Sequence, residues 1–233
     1  MIKLTDINKY YSSKFQRTFV LKSINLSVRE GEFVSIMGPS GSGKSTLLHI
    51  IGLLDAPSEG QYELFGQPVL GLKEKEKVEY HRNFMGFVFQ AYHLIDEMTV
   101  YENIETPLIY KGVKSGERKA MVADMLDRFQ MVAKKDLFPA QLSGGQQQLV
   151  GIARAIVGKP KLLLADEPTG NLHFDQGRQV METLQQLNAE GITIVQVTHN
   201  EEFARYGHRI VRLKDGRIDS NASLDAARTQ AIG

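Results

Sequence analysis

Glu32-Phe33-Val34-Ser35-Ile36-Met37, then Gly38-Pro39-Ser40-Gly41-Ser42-Gly43-Lys44-Ser45, then Thr46-Leu47-Leu48-His49-Ile50-Ile51: this run carries three patterns in succession. The first is apolar and short, as a buried strand is. The second fits G-x-x-x-x-G-K-[ST], the phosphate-loop pattern. The third is an apolar helix start. Strand, Gly-rich loop and helix form the unit that a parallel α/β sheet repeats. Each loop residue has a chemical reason. Gly38, Gly41 and Gly43 let successive backbone N–H groups converge on phosphate oxygens without a Cβ in the way. The helix that follows presents its positive N-terminal end to the same phosphates. Lys44 is a mobile charge for the β- and γ-phosphates. The Ser45 hydroxyl can ligate Mg²⁺, which bridges those phosphates. Pro39, Ser40, Ser42 and Thr46 lie within or directly beside the loop and join the same candidate nucleotide site.

Upstream, Ile2-Lys3-Leu4-Thr5-Asp6-Ile7 and Leu21-Lys22-Ser23-Ile24-Asn25-Leu26-Ser27-Val28 alternate apolar and polar residues, which marks half-buried strands. Arg29-Glu30-Gly31 is a turn. Downstream, Met85-Gly86-Phe87-Val88-Phe89 reads as another short strand. From about Thr99 to Val157 the strand signal vanishes and helical spacing replaces it, as in Met121-Val122 with Met125-Leu126 and Phe129. This stretch is expected to be an inserted helical subdomain. Strand signals return at Lys161-Leu162-Leu163-Leu164-Ala165, Ile192-Thr193-Ile194-Val195-Gln196-Val197 and Arg209-Ile210-Val211-Arg212-Leu213. Asp215-Gly216 is a hairpin turn before Arg217-Ile218. The tail after Asp219 is polar and rich in small residues, and is expected to be loosely attached.

Leu162-Leu163-Leu164-Ala165-Asp166-Glu167 is an apolar strand ending in two acids. A parallel strand delivers its C-terminal end to the ligand edge of the sheet. There Asp166 would hold the Mg²⁺ shell, directly or through water, and Glu167 would polarise the attacking water. Together the two motifs indicate a P-loop NTPase and nothing narrower.

The chain has 233 residues, 42% of them hydrophobic, enough for a sizeable core in one domain. Its 28 basic and 27 acidic residues leave a formal net charge of +1. That balance gives no reason to expect a nucleic-acid face or a polybasic membrane anchor. There is no Cys, hence no disulfide framework or thiol chemistry. No apolar run approaches the ~20 residues that cross a bilayer, and the start has no apolar h-region. The expectation is a soluble chain that meets a membrane only through another chain.

Leu142-Ser143-Gly144-Gly145-Gln146 narrows the reading. A Ser hydroxyl and Gly N–H groups opening a helix form a second anion-binding terminus. Here the sequence resembles the ABC ATPase family, whose signature is LSGGQ. The resemblance covers nearly the whole chain, with the motifs in the family's order. It implies an α/β fold: a P-loop NTPase (RecA-like) core with an N-terminal antiparallel β subdomain and an inserted α-helical subdomain. On this chain the β subdomain plus core would be residues 1–90 and 158–233, and the helical subdomain residues 91–157. It implies hydrolysis of ATP with Mg²⁺ by a homodimer that sandwiches two ATP molecules. Each ATP would lie between one P-loop and the partner's signature, Ser143, Gly144, Gly145 and Gln146. By the same resemblance, Tyr11 looks like the aromatic that stacks on adenine, with Tyr10 beside it as the other choice. Gln90 is similar to the loop Gln that reaches Mg²⁺ and the attacking water. His199 looks like the switch His that contacts the γ-phosphate, completing a catalytic set with Glu167, Gln90 and Lys44.

Longer stretches, EGEFVSIMGPSGSGKSTLLHIIGLLD, GFVFQAYHLIDEMTVYENIETPL, QLSGGQQQ and LADEPTGNL, resemble the lipoprotein-release and macrolide-export type, close to the cell-division type. Transmembrane permease subunits would then dock near a groove between Ala91 and Asn103, with Tyr92, His93, Leu94 and Met98 as candidate contacts. The chain would sit in the cytoplasm against the inner face of the membrane. A cell-division ATPase signalling to a septal partner is one alternative. An ABC ATPase acting on nucleic acid or ribosomes is another, although the compact insert and single cassette speak against it. Two positions depart from the family pattern: His173 stands where Asp is usual, in a loop expected at the dimer interface, and Leu149 where Arg is usual.

Overall fold

The computed structural model describes residues 1–12 and 17–224. In chain order the strands are β1 (Ile2–Ser12), β2 (Arg17–Val28), β3 (Phe33–Met37), β4 (Glu59–Leu64) and β5 (Gln67–Pro68), then β6 (Met85–Phe89), β7 (Leu162–Asp166), β8 (Thr193–Val197), β9 (Arg209–Lys214) and β10 (Arg217–Ser223). The helices are α1 (Lys44–Ile51), α2 (Glu74–Phe84), α3 (Val100–Tyr110), α4 (Ser115–Arg128), α5 (Gly144–Ile156), α6 (Phe174–Ala189) and the short α7 (Glu201–Ala204).

Two sheets result. One has the order β2-β1-β4-β5 and its neighbouring strands are antiparallel. The other has the order β10-β9-β3-β8-β7-β6, parallel except for β10. Burial explains the sequence of the parallel strands. Val34, Ile36, Leu162, Leu164, Val195 and Val197 point to a core shared with α1 and the antiparallel sheet. Phe33, Leu163, Ala165 and Ile194, the alternate residues, point to a core shared with α3 to α6. Both faces are covered, so these strands read as unbroken apolar runs. Truncating one of the Leu, Ile or Phe side chains among them to Ala costs about 2–5 kcal/mol. Because β3 lies between β8 and β9, the loop after β3 opens at the C-terminal edge of the parallel strands, beside the ends of β7 and β8.

Three features differ from the sequence expectations. The tail after Asp219 is not loose at its start: Ser220, Asn221, Ala222 and Ser223 pair with Arg212, Val211, Ile210 and Arg209. They are polar because an exposed edge strand has no core to face. Residues 225–233 lie outside the described residues. The β4–β5 hairpin and α2 leave no apolar pattern in the sequence. Among α2 residues none is buried, so its sequence has no apolar stripe to detect.

Candidate active site

The P-loop is built by close approach. A Cβ on Gly38 would lie 2.2 Å from the Leu213 carbonyl oxygen, and one on Gly43 would lie 2.7 Å from Leu21 Cδ2. Gly43 caps α1 at φ +99, a backbone that disfavours any other residue. The loop therefore wraps against β9 on one side and β2 on the other. Lys44 is buried, and its Nζ donates to the Gly38 and Pro39 carbonyls at 2.9 and 3.0 Å. Ser42 Oγ is buried with no partner. The residues Val20, Gly38, Pro39, Ser40, Gly41, Gly43, Lys44, Ser45, Thr46, Glu167 and His199 line one cleft of about 560 Å³. A buried ammonium, unpartnered hydroxyl and backbone N–H groups at a helix start suit a polyphosphate.

Of the two acids at the end of β7, Glu167 lines this cleft and Asp166 meets Ser45, one of its lining residues. Ser45 Oγ donates to Asp166 Oδ1 at 3.2 Å, which places a hydroxyl and a carboxylate together where a divalent cation needs hard oxygen ligands. Burial raises the Asp166 carboxyl above its ordinary value. The Ser45 bond and the His49 and Lys44 charges oppose that rise. Glu167 takes a left-handed backbone, φ +47, held by its N–H to the Val197 carbonyl at 2.9 Å. Its Oε2 lies 3.0 Å from His199 Nδ1. Thus Glu167 and His199, 32 residues apart, meet as a pair at the phosphate loop.

Gln90 follows β6 but is not on the lining of that cleft. Its Nε2 donates to Asn171 Oδ1 at 3.0 Å, and Asn171 Nδ2 returns a bond to the Gln90 carbonyl. Tyr10 and Tyr11 separate cleanly. Tyr10 packs on Phe19, with ring centroids 5.2 Å apart, and donates to Glu59. Tyr11 is 57% exposed and pairs with Thr18. It shares a sheet face with Lys9 and Leu21, and Leu21 is the side chain that packs on Gly43. Tyr11 is therefore the available aromatic on the loop's side.

Ser143 caps α5, accepting from the Gln146 N–H, while Gln146 Oε1 accepts from the Ser143 N–H. None of Ser143, Gly144, Gly145 and Gln146 lines the P-loop cleft. The capped start of α5 is thus separate from the P-loop cleft within one chain.

A family model described as "ABC transporter" matches residues 21–170. The chain belongs to the ABC transporter family. Among ABC transporter relatives, it is 45% identical to the lipoprotein-releasing system ATP-binding protein LolD of Geobacter metallireducens, over 94% of this chain and 97% of that protein. It is 42% identical to the macrolide export ATP-binding/permease protein MacB of Chlorobium luteolum, over 97% of this chain. The chain spans 34% of that MacB's length. It superposes with a TM-score of 0.88, at 43% identity, on the ATP-binding cassette MJ0796 of Methanocaldococcus jannaschii. That alignment covers 96% of this chain and 99% of the other, whose structure is a dimeric post-hydrolysis state bound to ADP and Pi. This chain is accordingly an ABC ATPase cassette.

The departures from the ABC pattern acquire positions. His173 is the exposed N-cap of α6, and its side chain makes no capping hydrogen bond. Leu149 is half-buried against the helical core, and nothing in the structure explains why it stands where Arg is usual. Several residues of the 91–103 segment also have partners within the chain. Leu94 joins the helical core. Tyr92 covers Gly144: a Cβ there would meet its hydroxyl at 2.7 Å. Asn103 is fully buried, bonding Ile95, Met98 and Thr99 backbone groups. His93 stays exposed. Sequence reading missed Asn171 and Gln148, whose roles come from contacts across distant parts of the chain.

Proposed function

We propose that this cassette binds and hydrolyses Mg²⁺-ATP as a homodimer and drives separate transmembrane subunits of the lipoprotein-release or macrolide-export type. The observation that carries the reading is the division of labour within one chain. The cleft holding Lys44, Ser45, Glu167 and His199 grips one side of a nucleotide, and the Ser143-capped helix start, which faces elsewhere, supplies a second phosphate grip. A second copy brings the two halves together around each ATP. In this reading residues 91–157 act as a helical subdomain against the β-rich remainder. Tyr11 stacks on adenine, and Gln90 leaves Asn171 to reach the metal.

The chemistry follows from the residues. The P-loop N–H groups and Lys44 hold the β- and γ-phosphates in line. Ser45 and Asp166 would hold Mg²⁺, which would supply positive charge beside the phosphate oxygens. Glu167 orients and polarises the attacking water, and His199 fixes the Glu167 carboxylate.

The membrane subunits would dock beside His93 and the exposed part of the 91–103 segment. Among the described residues no helix is long and apolar enough to cross a membrane, so the anchoring is assigned to those partners. The test is size-exclusion chromatography of Glu167→Gln with Mg²⁺-ATP. A dimer is expected, and Gly145→Asp in the same chain should abolish it by setting a carboxylate against the partner's γ-phosphate. A double variant that still dimerises would refute the sandwich.

A further inference from the structure

Gln148, on α5, is fully buried. Its Nε2 donates to the Pro168 carbonyl at 2.7 Å, while its Oε1 has no partner. An apolar side chain of the same size would spare the core that unmet carbonyl, so the bond to Pro168 is the feature that distinguishes Gln here. Pro168 directly follows Glu167, whose left-handed backbone persists only when its surroundings over-determine it. Three tethers do so. The Glu167 N–H donates to Val197 on β8, and the Gly170 N–H donates to the Glu167 carbonyl at 3.0 Å. The third is Gln148. Pro168 has no N–H, so its carbonyl is the backbone handle it offers. The first two tethers fasten the loop to β8 and to itself. The third fastens it to α5, whose opening turn is Ser143-Gly144-Gly145-Gln146.

We propose that Gln148 is a positioning residue that couples the signature helix to the Glu167 carboxylate, so that phosphate contact at one ATP site sets the base at the other. The cross-site half rests on the sandwich reading above. There a chain's signature serves its partner's nucleotide while its Glu167 serves its own. A phosphate gripped at Ser143 displaces α5 as a rigid unit. The Pro168 carbonyl follows through the Gln148 amide, and the backbone between Glu167 and Pro168 turns the carboxylate toward its water. Small displacements suffice, because a misplacement of about 1 Å costs ~100-fold in rate.

The experiment uses the full chain and two variants, Gln148→Met and Gln148→Asn. Met keeps the volume and loses the donor; Asn keeps the amide and loses the reach. Steady-state hydrolysis of Mg²⁺-ATP gives kcat, KM and the Hill coefficient. A fluorescent ATP analogue gives monomer affinity, and a thermal melt reports folding. Both variants should lose roughly 10- to 100-fold in kcat with KM and analogue affinity within about twofold, and any cooperativity of the wild type should fall toward a Hill coefficient of about 1. A purely structural Gln148 would lower the melting temperature and leave kcat of the folded protein unchanged. That result overturns the tether. Should Met unfold the chain, the Asn variant decides the same question. A Glu167→Gln chain that shows no ATP-driven dimer overturns the sandwich reading and the cross-site coupling, whereas the kcat comparison still decides the tether.

Discussion

Replacing Glu167 by Gln isolates one charge in an otherwise unchanged site. The backbone strain at φ +47 is the same for both residues, and the side-chain shape is nearly so. An amide can still bond His199 Nδ1 at the 3.0 Å now occupied by the carboxylate. Stability should therefore change by no more than about 1 kcal/mol, the net worth of one hydrogen bond. The carboxylate is only 16% exposed and gives one oxygen, Oε2, to His199. Its other oxygen is left for a water at the phosphate cleft. Gln offers no negative charge to draw a proton from that water. A positioned general base contributes about 10²–10⁴-fold, which corresponds to ~2.7–5.4 kcal/mol in activation free energy. Phosphate release at saturating Mg²⁺-ATP should fall by that factor, with analogue binding unchanged. Turnover within fivefold of wild type, in a variant that binds ATP and melts normally, would refute the role assigned to Glu167.

Lys44→Ala removes a charge-assisted phosphate contact worth about 1.5–3 kcal/mol, so affinity for a fluorescent ATP analogue should weaken roughly 10- to 150-fold; unchanged affinity would place the nucleotide elsewhere. Asp166 has its carboxyl raised mainly by burial, so the folded chain holds that proton to higher pH than the unfolded chain. Its stabilising share is intact below the ordinary carboxylate value and is lost as pH rises through the raised one. Without Mg²⁺, Asp166→Asn should accordingly melt higher than wild type at pH 7, and the gap should close on acidification towards pH 4; a gap independent of pH contradicts the assignment. His173→Asp should supply the missing side-chain cap of α6 and raise stability by about 1 kcal/mol, read by denaturant midpoint; no gain would mean that another group already satisfies that helix end.

The site was legible where function is written in neighbouring residues. Gly38 to Gly43 is one continuous loop between a strand and the helix that Lys44 and Ser45 open, so its sequence contains its structure. Asp166 and Glu167 were readable because they end an apolar strand, and Ser143 because a cap and its Gln146 partner are three residues apart. The sequence could not reveal pairs made by the fold. Gln90 and Asn171 are separated by 81 residues and exchange two hydrogen bonds. Gln148 meets Pro168 across 20. Neither pair leaves a periodic trace. The β4–β5 hairpin was hidden for a different reason: only Tyr62 and Leu64 of β4 are buried, too few for an alternation. The choice between Tyr10 and Tyr11 required the strand register, because neighbouring strand residues face opposite ways and a bulge near Lys9 resets the pairing.

Backbone strain marks the functional loops in a way that composition does not. Phe65 and Asp215, at φ +53 and +49, each precede a positive-φ Gly in a two-residue hairpin, where such values are the norm. Leu53, Gln130 and Lys159 follow the ends of α1, α4 and α5, and Asp6 and Ser23 lie beside register shifts between β1 and β2. Local chain geometry accounts for all of these. Tyr92, His93 and Glu167 also have positive φ but serve no hairpin or helix end. Tyr92 and His93 follow Gln90, and their carbonyls both accept from Arg154 on the signature helix. Glu167 is held by β8, by its own loop and, through Pro168, by the same helix. The strained backbone therefore lies in the two loops that α5 grips, Arg154 holding one and Gln148 the other. Under the coupling proposed above, a shift of α5 would load both loops at once, and the strain at Glu167 would then have a mechanical use as well as a local cause.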